Sequence, residues 1–569
     1  MKALFTVMLT IAMVVLLAAP NQSFAQAPDT VVVSALPPGN INTVIMGDTT
    51  ATGQRNNPNR VYVLQQTGSV DTTYFFNATM YTNFNLTIIG KINPTTGRPP
   101  VIAPFINPDN SSPAPFILAD TGNVTLKGLY LLGVRTDGEA IAKGVAVQVA
   151  GDSMRIVADH CVFDNWNWQS FTTSASWDKF FITNCEFRNA IHPRSWFHGI
   201  AFVTTGHVPT DTVEMVDNTF FCVNSYAFAP VAYNKYVKFE HNTIFLTSVN
   251  PFFTPELTDG IIANNIFYGT LAMGQDSAQI KSGWFDWDHQ GSGTISFDTL
   301  STAAAPPYNF TEAQRQLVVE NNAYFWPKAL YDNWTALNDT ASANGPGVIV
   351  PPVWMNSRTK GMFADHNTWP GFVQSGNDSV DPGFSSSLVT PALDSLIKYV
   401  NMQWTGKLAT YVWTQLPDNP LTVFSSVPQN WATTQNYAVP ENLSYTNAAL
   451  QHAGTDGKAL GDLNWFPNQL PLAVHQTPNS VPSKFNLSNN YPNPFNPSTT
   501  IKVDLARSGL VSLKLYNVLG QLVKVVDEGY KPAGEYTYDI NMDNFASGVY
   551  FYTLREGSNF IAKKMVLLK

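Results

Sequence analysis

The chain has 569 residues, only 13% of them charged, and its formal net charge at pH 7 is −9. A chain of this length is too long to fold around one hydrophobic core of ordinary size. It therefore predicts either several domains or a solenoid that grows by adding repeats. The charge is spread along the chain without a basic patch, which argues against nucleic acid as a partner. Gly (36) and Pro (38) are frequent, and this composition favours strands and tight turns.

The N-terminal segment 1–25 has the pattern of a cleaved export signal. Lys2 precedes an apolar run from Leu4 to Ala19. Ser23 and Ala25 then provide the small side chains that precede a signal-peptide cleavage site after Ala25. The alternative is a membrane anchor, but a run of about 16 residues is short of the about 20 that span a bilayer. We therefore expect a mature protein that lacks a transmembrane segment.

A repeated eight-residue pattern runs through the middle of the chain. Its first and third positions are mostly apolar, its fifth is His, Asn or Asp, its sixth is Cys or Asn, and its eighth is Phe, Ile or Tyr. The clearest copies are Ile156–Phe163, Phe180–Phe187, Val213–Phe220, Val237–Ile244, Gly260–Phe267 and Leu317–Tyr324. Successive copies are 24, 33, 24, 23 and 57 residues apart. The short spacing predicts a stacked solenoid, and the longer intervals predict rungs with loop insertions.

Stacking of successive rungs explains the sixth column of the pattern. Because neighbouring strands lie about 4.8 Å apart, Asn218, Asn242 and Asn265 fall above one another and can hydrogen-bond along the column. Cys161 and Cys185 occupy the same column, and this spacing permits a disulfide. The alternative, which we favour, is that two small side chains fill an interior ladder without a bridge.

The repeat spacing, the Asn column and the aromatic column resemble the right-handed parallel β-helix proteins of the pectin-lyase-like superfamily. The resemblance covers rungs from about residue 43 to 384, and no catalytic motif supports it. It implies a right-handed parallel β-helix solenoid with a long sheet face that binds or cleaves polysaccharide. A β-sandwich or a propeller fits less well, because a sandwich has no fixed column and a propeller repeat has about 40 residues or more.

Weaker patterns follow the repeats. Apolar residues between Leu393 and Trp404 are spaced for one amphipathic helix. Segments 442–445 and 457–467 resemble a closing segment of bacterial surface β-helix proteins, which would cover the open edge of the last rung. We therefore expect the β-helix domain to span 26–466 and a linker with four prolines to span 467–483.

The last segment, 484–569, alternates short strands with turns and predicts a small all-β sandwich. Its motifs appear in the order Tyr491-Pro492-Asn493-Pro494-Phe495, Gly520-Gln521, and Gly548 with Tyr550, followed by a basic and apolar end. This order closely resembles the C-terminal (type A) sorting domain of type IX secretion cargo. An immunoglobulin-like adhesion module is the alternative, but such a module does not need these motifs in this order.

The second resemblance implies where the protein goes. It implies export by the signal peptide into the periplasm, then transport across the outer membrane by the type IX secretion machinery. The sorting segment is normally removed, and the product is released or attached to the cell surface. We therefore expect an extracellular or outer-surface location.

Candidate site residues lie in the insertion after the second copy of the repeat. In an extended segment, His192, Arg194, Trp196 and His198 point the same way. His192 lies seven residues after Cys185 and Trp168 lies seven after Cys161, so stacked rungs place Trp168 beside His192. The alternative is that His192 and Arg194 belong to a solvated loop.

Three tryptophans are candidates for stacking on sugar rings. They are Trp166, Trp168 and Trp196. Trp166 and Trp168 share one strand face, where their rings could stack on a sugar or pack beneath an insertion loop.

Two functions stay open. We favour a secreted or cell-surface protein that binds glycans or builds an extracellular layer without catalysis, because no catalytic set is recognisable. The rival is a polysaccharide lyase acting on a uronate polymer, with His192, Arg194 and His198 as candidate catalytic residues. Only a lyase of that kind would call for Ca²⁺, held by carboxylates against the uronate. No Asp/Glu trio occupies matching columns, so the sequence predicts no metal site and no other cofactor.

Overall fold

The described residues form a long parallel solenoid and a small antiparallel sandwich. In the computed structural model they are 29–66, 72–135, 141, 143–192, 198–206, 208–254, 256–276, 293–300, 311–341, 349–404, 441–469, 475–477, 484–505, 509–531, 534–543, 545–556 and 559–569. The solenoid strands lie between Thr30 and Ser379, and the sandwich strands lie between His475 and Leu567. The predicted class, an all-β solenoid followed by a β-sandwich, is confirmed.

Three parallel sheets, A, B and C, form the sides of the solenoid. Among the described residues, sheet A consists of Thr30–Val33, Val61–Leu64, Leu86–Gly90, Val124–Lys127, Arg155–Asp159, Asp178–Thr183, Thr210–Val216, Asn234–Glu240, Leu257–Ala263, Gln316–Glu320 and Phe372–Ser375. Sheet B consists of Thr73–Phe76, Val101–Pro104, Tyr130–Leu132, Val162–Asp164, Glu186–Arg188, Thr219–Val223, Thr243–Thr247, Ile266–Tyr268, Ala323–Phe325 and Asp378–Ser379. Sheet C consists of Met80–Thr82, Ile117–Ala119, Val145–Val149, Gln169–Thr173, Ile200–Thr204 and Phe228–Ala229.

Helices and minor strand pairs occupy the insertions and the ends. The helices are α1 (Asn40–Met46), α2 (Lys328–Ala341), α3 (Ser357–Ala364) and α4 (Ser386–Trp404). Single 3₁₀ turns are Glu312–Gln314, Leu450–His452, Leu463–Trp465 and Pro467–Gln469. Gln275–Asp276 pairs with Ile349–Val350, and Gly293–Ile295 pairs with Val353–Met355.

The rungs stack in the register that the eight-residue pattern predicts. Ile156 lies opposite Phe180, and Phe180 lies opposite Val213. In sheet B the same register stacks the rings of Phe163, Phe187 and Phe220 with centroids 5.1 Å apart at each step. Each of these rings is fully buried, so every rung of the aromatic column adds buried apolar area that stabilises the solenoid.

The Asn column forms a hydrogen-bonded ladder between sheets A and B. The Nδ2 of Asn218 donates to Oδ1 of Asn242 (3.0 Å), Asn242 donates to Asn265 (3.1 Å), and Asn265 donates to Asn322 (2.8 Å). The ladder ends with Asn322 donating to Asn377 (2.8 Å). Each amide also accepts from a backbone N–H of the rung before it, so these buried turns are satisfied.

The cysteines extend this column and are not bridged. The backbone N–H of Cys161 points at Sγ of Cys185 (3.4 Å), and the N–H of Cys185 donates to Oδ1 of Asn218 (2.9 Å). Cys161, Cys185 and Cys222 are free and buried. The packing alternative is therefore the one that the structure adopts.

The fifth column adopts the left-handed turn conformation that its residue types predict. His160, Asn184, Asp217, His241, Asn264 and Asn321 all have φ between 49° and 61°. His and Asn side chains tolerate this region better than β-branched side chains. The two histidines in this column, His160 and His241, are thus turn residues.

Helices close the two ends of the solenoid core. At the first rungs, α1 buries Ile41 and Ile45 in the core. At the last rung, Phe363 of α3 packs on Phe372 with ring centroids 5.1 Å apart. These helices cover apolar ends that would otherwise be open to solvent.

A segment that we call the strap, residues 441–469, runs along the flank of the solenoid rather than over its last rung. Thr446 and Asn447 donate to backbone oxygens near Gly383, at the last rungs. The chain then runs back, so that Asn464 contacts Asp217 at a much earlier rung. The expected cover of the open edge is therefore wrong for this segment, and α3 takes that role.

Helices α2 and α4 pack beside the strap on the outer face of sheet B. Trp334 of α2 and Leu396 of α4 belong to one apolar cluster with Phe245 of sheet B. The predicted helix exists but begins at Ser386, before Leu393. It is longer because Leu388 and Val389 pack on the same cluster.

The C-terminal sandwich has its own core. Sheet D contains His475–Thr477, Gly534–Asn541, Ser498–Leu505 and Asn486–Leu487, and sheet E contains Leu522–Lys531, Gly509–Asn517, Gly548–Glu556 and Asn559–Leu567. Both sheets are antiparallel. Ile501, Leu513 and Tyr552 are fully buried between them.

Candidate functional site

An aromatic cluster lies where the chain passes from sheet B to sheet C. Trp168 immediately precedes the sheet C strand Gln169–Thr173, and His192 and His198 flank the insertion in the next rung. The Trp168 and His192 rings meet edge to face with centroids 5.8 Å apart, as the register predicted. His198 stacks on Trp168 at 3.5 Å, and its ring centroid is 5.2 Å from that of His192. Arg194 and Trp196 lie outside the described residues.

Backbone hydrogen bonds hold this cluster on the stacked strands. The N–H groups of Gly199 and Ile200 donate to the carbonyl of Trp168, both at 3.2 Å. Asn224 donates to the carbonyl of His198 at 2.8 Å. Gly199 has φ of 85°, and a Cβ there would collide with the carbonyl of Ala190, so this turn requires glycine.

A cavity of about 290 Å³ opens beside Trp168 on the outer face of sheet C. It is lined by Ala114, Pro115, Lys143, Val145, Gln148, Trp168, Gln169, Thr172 and Thr205. Gln148 and Thr172 lie directly opposite each other on neighbouring strands. The Nζ of Lys143 lies 5.7 Å from the centroid of the Trp168 ring. The cavity therefore combines one aromatic wall with amides, hydroxyls and one cation.

The electrostatics of the cluster keep His198 neutral. Burial, together with the repulsion of a positive charge by His192 and Lys143, lowers the pKa of His198 to about 4. At neutral pH the imidazole therefore carries one N–H donor and one acceptor nitrogen.

Trp166 lies in a different environment from Trp168. It is 1% exposed, belongs to the solenoid core, and donates its indole N–H to the carbonyl of Leu131 (3.0 Å). The two tryptophans do not share an open face, because the chain turns between sheets B and C at this point. Trp166 therefore packs as a core residue and presents no surface to a ligand.

Sequence reasoning missed most of the cavity wall. Lys143, Gln148, Gln169, Thr172 and Thr205 were not singled out. The repeat spacing could have predicted two of these residues. Gln148 and Thr172 are 24 residues apart, which is the spacing of neighbouring rungs, so they are expected to lie side by side.

A second polar cluster lies in the interior between sheet B and the strap. Arg188 contacts Glu441 of the strap and Asp164 of the previous rung, with Nη1 3.2 Å from Asp164 Oδ2. Tyr130 also donates to Asp164. In the described part of the chain, no group of three or more His, Cys, Asp or Glu side chains is arranged to hold a metal ion.

The sorting motifs have structural roles in the sandwich. Oδ1 of Asn493 accepts from the N–H of Val566 (3.0 Å), and the N–H of Phe495 donates to the carbonyl of Val566 (3.0 Å). The first motif therefore covers the free edge of the C-terminal strand. Tyr491, in contrast, is 81% exposed.

The two later motifs shape turns. Gly520 has φ of 76° and closes the turn in which the Asn517 side chain accepts from Gln521 N–H (3.0 Å). Tyr550 donates its hydroxyl to the carbonyl of Ala546 (2.8 Å), beside Gly548. Each of these two motifs therefore fixes a local backbone conformation in the sandwich.

Comparison with known proteins assigns the C-terminal segment. Residues 489–568 match the family model of the secretion system C-terminal sorting domain. No curated protein and no solved structure matches the chain. The chain therefore carries a type IX secretion sorting domain, which indicates export and placement at the cell surface or outside the cell. Among the described helices, none is long and apolar enough to cross a membrane.

Proposed function

We propose that this protein is an extracellular or cell-surface β-helix protein that binds glycan in the cavity beside Trp168. The signal peptide takes the chain to the periplasm, and the sorting domain then takes it through the type IX machinery. The observation that carries the glycan proposal is the composition of the cavity wall, where a half-buried indole lies beside two carboxamides and two hydroxyls.

This composition suits a sugar for physical reasons. A pyranose ring has an apolar face that stacks on an indole, and its hydroxyls need donors and acceptors in a ring around it. Gln148 and Gln169 each offer both kinds of group, as do Thr172 and Thr205. His198 covers one face of Trp168, which fixes the orientation of the ring before a ligand arrives and lowers the entropic cost of binding.

The second candidate is a polysaccharide lyase acting on a uronate polymer. The observation in its favour is the lowered pKa of His198, which leaves a neutral imidazole stacked on Trp168, and Trp168 lines the cavity together with Lys143. A neutral imidazole can accept a proton from a sugar carbon, and Lys143 can attract a carboxylate. Ca²⁺ would enter only in this second case.

A glycan screen tests both candidates. The mature protein is applied to an array of bacterial and plant polysaccharides, and each mixture is also assayed for reducing ends and for the ultraviolet absorbance of unsaturated uronate products. We expect binding without cleavage, and Trp168→Ala should weaken it at least about tenfold, as truncation of an aromatic anchor commonly does.

Trp177→Ala is the matched control, because Trp177 is also partly buried but lies in a turn beside Tyr233. Equal loss in both variants would contradict a site at Trp168. Cleavage that His198→Gln abolishes would establish the lyase instead. If the protein neither binds nor cleaves any of the polysaccharides, a structural role in an extracellular layer would be the remaining candidate.

A further inference from the structure

A row of outward-facing side chains leads across sheet C to the cavity beside Trp168. Tyr81 lies opposite Leu118 on the next strand. Leu118 lies opposite Gln148, and Gln148 lies opposite Thr172. In each strand the two flanking side chains are buried, so these four residues, which we call the sheet C row, point outward. Because neighbouring strands lie about 4.8 Å apart, three steps separate the two ends of the row by about 14 Å.

The sheet C row is open at one end and closed at the other. Tyr81 is 61% exposed, whereas Thr172 is 4% exposed. Beyond Thr172 the same outward position is occupied by Val203 and then by Ala229. Both are buried in an apolar cluster that also contains Val249. The surface that a ligand can reach therefore begins at Tyr81 and ends in the cavity at Thr172.

The closed end of the row carries an unsatisfied polar group. Oγ1 of Thr172 is buried and has no hydrogen-bond partner among the residues that the structure describes. A buried hydroxyl without a partner is unfavourable, so a ligand hydroxyl placed here gains a hydrogen bond without displacing one from the protein. The last sugar of a glycan chain has a free hydroxyl that both donates and accepts.

The open end of the row offers an aromatic surface. The exposed ring of Tyr81 stands on the first strand of sheet C, Met80–Thr82, at the far end from the cavity. An aromatic ring stacks on the apolar face of a pyranose. The row therefore has an aromatic side chain near each end, Tyr81 at one and Trp168 beside the other, with Leu118 and Gln148 between them.

The charges along the row indicate which sugars suit it. All four residues of the sheet C row are uncharged, and among the described residues that line the cavity Lys143 is the one cation. A uronate polymer carries a carboxylate on every sugar, and its recognition calls for complementary charge along its whole path. One cation at the closed end does not provide this. The row suits neutral sugars, which need apolar surface and hydrogen bonds.

We infer that the sheet C row binds the end of an extended, linear chain of neutral pyranoses. A pyranose in such a chain is about as long as one rung is high, so the last sugar lies in the cavity and a sugar about three units away stacks on Tyr81. This inference rests on the proposed function, because the cavity beside Trp168 must first bind glycan. It adds the class of glycan, its direction along the solenoid and a second aromatic contact.

Calorimetric titration of the mature protein with oligosaccharides of graded length tests the inference. The neutral probes are β-1,4-linked oligomers of glucose, mannose and xylose, and the anionic probe is oligogalacturonate, each from disaccharide to hexasaccharide. Any neutral polysaccharide that binds in the glycan screen is hydrolysed to the same lengths. We expect a neutral series to bind, with affinity rising at least about tenfold from disaccharide to tetrasaccharide, because the longer chain reaches a second aromatic anchor.

Variants of Tyr81 connect this gain with the row. Tyr81→Ala should cancel the gain with length and leave the affinity for the disaccharide unchanged, whereas Tyr81→Phe, which keeps the ring, should retain it. Tyr331→Ala is the matched control, because Tyr331 is a 41% exposed tyrosine of α2. If Trp168→Ala removes binding while Tyr81→Ala changes nothing at any length, the proposed site stands and the row is overturned.

The remaining outcomes test the chain end and the sugar class. Equal masses of intact and shortened polymer are titrated, and the number of binding sites per gram should rise in proportion to the number of chain ends. An unchanged number overturns recognition of the chain end, and binding of oligogalacturonate alone overturns the preference for neutral sugars. If no oligosaccharide and no polysaccharide binds, the proposed function fails and this inference fails with it.

Discussion

Arg188 and Glu441 are 253 residues apart in the chain, yet they form a two-point ion pair in the protein interior. Nε of Arg188 lies 2.6 Å from Oε1 of Glu441, and Nη2 lies 2.8 Å from Oε2. Both side chains are almost fully buried. Because Glu441 begins the strap and Arg188 belongs to a central rung, this pair fixes the strap to the solenoid.

Substitution of Glu441 tests how much this pair contributes to stability. Glu441→Ala removes both carboxylate oxygens that bond to the buried Arg188, so we expect the free energy of unfolding to fall by about 3 to 5 kcal/mol. Denaturant unfolding of the mature chain, followed by tryptophan fluorescence, measures this change.

A surface ion pair is the control for that measurement. Lys328 and Asp332 form a pair on α2, but Lys328 is 84% exposed. Lys328→Ala should therefore cost only about 0.5 kcal/mol or less. Equal effects of the two substitutions would contradict the view that the buried pair anchors the strap.

The Asn ladder gives a second prediction. Asn265→Ala removes an acceptor from the buried N–H of Asn242 and a donor from the carbonyl of Phe239. Because buried polar groups without partners each cost about 1 to 3 kcal/mol, we expect a loss of at least about 2 kcal/mol in the free energy of unfolding. Asn377→Ala, at the less buried end of the ladder, should cost less, and the reverse order would contradict the argument.

The repeat allowed the rungs to be predicted because stacking imposes the same side-chain requirement at each level. Phe163, Phe187 and Phe220 share one column, and that column is visible in the sequence as a fixed position eight residues into each copy. The seven-residue offsets placed Trp168 beside His192 for the same reason. Each of these relationships is set by strand spacing and register alone.

The contacts of the strap could not be predicted in the same way. Glu441 meets Arg188 only because the chain returns along the flank of the solenoid, and no periodic pattern encodes that return. The burial of Trp166 depends on the tight turn from sheet B to sheet C, where alternation along a strand no longer applies. The cavity walls come from four successive rungs, so no single segment of the sequence predicts the cavity.

Stability should depend on pH through two buried carboxyls, one on the solenoid beneath the strap and one in the strap itself. Burial raises the pKa of Glu186 to about 8, with Glu441 adding to the rise, and burial beside Asp217 raises that of Asp462 to about 7. Both values exceed those of the unfolded chain, so the folded state holds protons that the unfolded state releases. The resulting stability is complete below about pH 4 and is lost as the pH rises through 7 and 8.

We therefore expect the free energy of unfolding to fall by about 2 kcal/mol between pH 6.5 and 9. Denaturant unfolding at four pH values in this window measures the slope. The double variant Glu186→Gln, Asp462→Asn should remove most of the slope, because neither amide titrates. If the free energy of unfolding of the double variant still falls with pH as in the wild type, other titratable groups cause the pH dependence.

The cysteines should react only after unfolding. Cys161, Cys185 and Cys222 are buried and unbridged, and burial raises the pKa of Cys185 and of Cys222 well above the usual value. A thiol reagent should therefore find almost no thiol in the native protein and all three in denatured protein. One thiol in the denatured protein would instead indicate a disulfide in the column.

The first sorting motif should act by holding the C-terminal strand in place. Asn493→Ala removes the acceptor for Val566 N–H and the contact of Nδ2 with the Lys564 carbonyl (3.4 Å). We expect faster hydrogen exchange at residues 563–567, where that edge of the strand loses its side-chain partner. Asn486→Ala is the control, because the side-chain hydrogen bond that it removes goes to Asp504 within sheet D (3.0 Å). Unchanged exchange in Asn493→Ala would mean that the motif contributes to sorting through its own surface, and not through the strand that it covers.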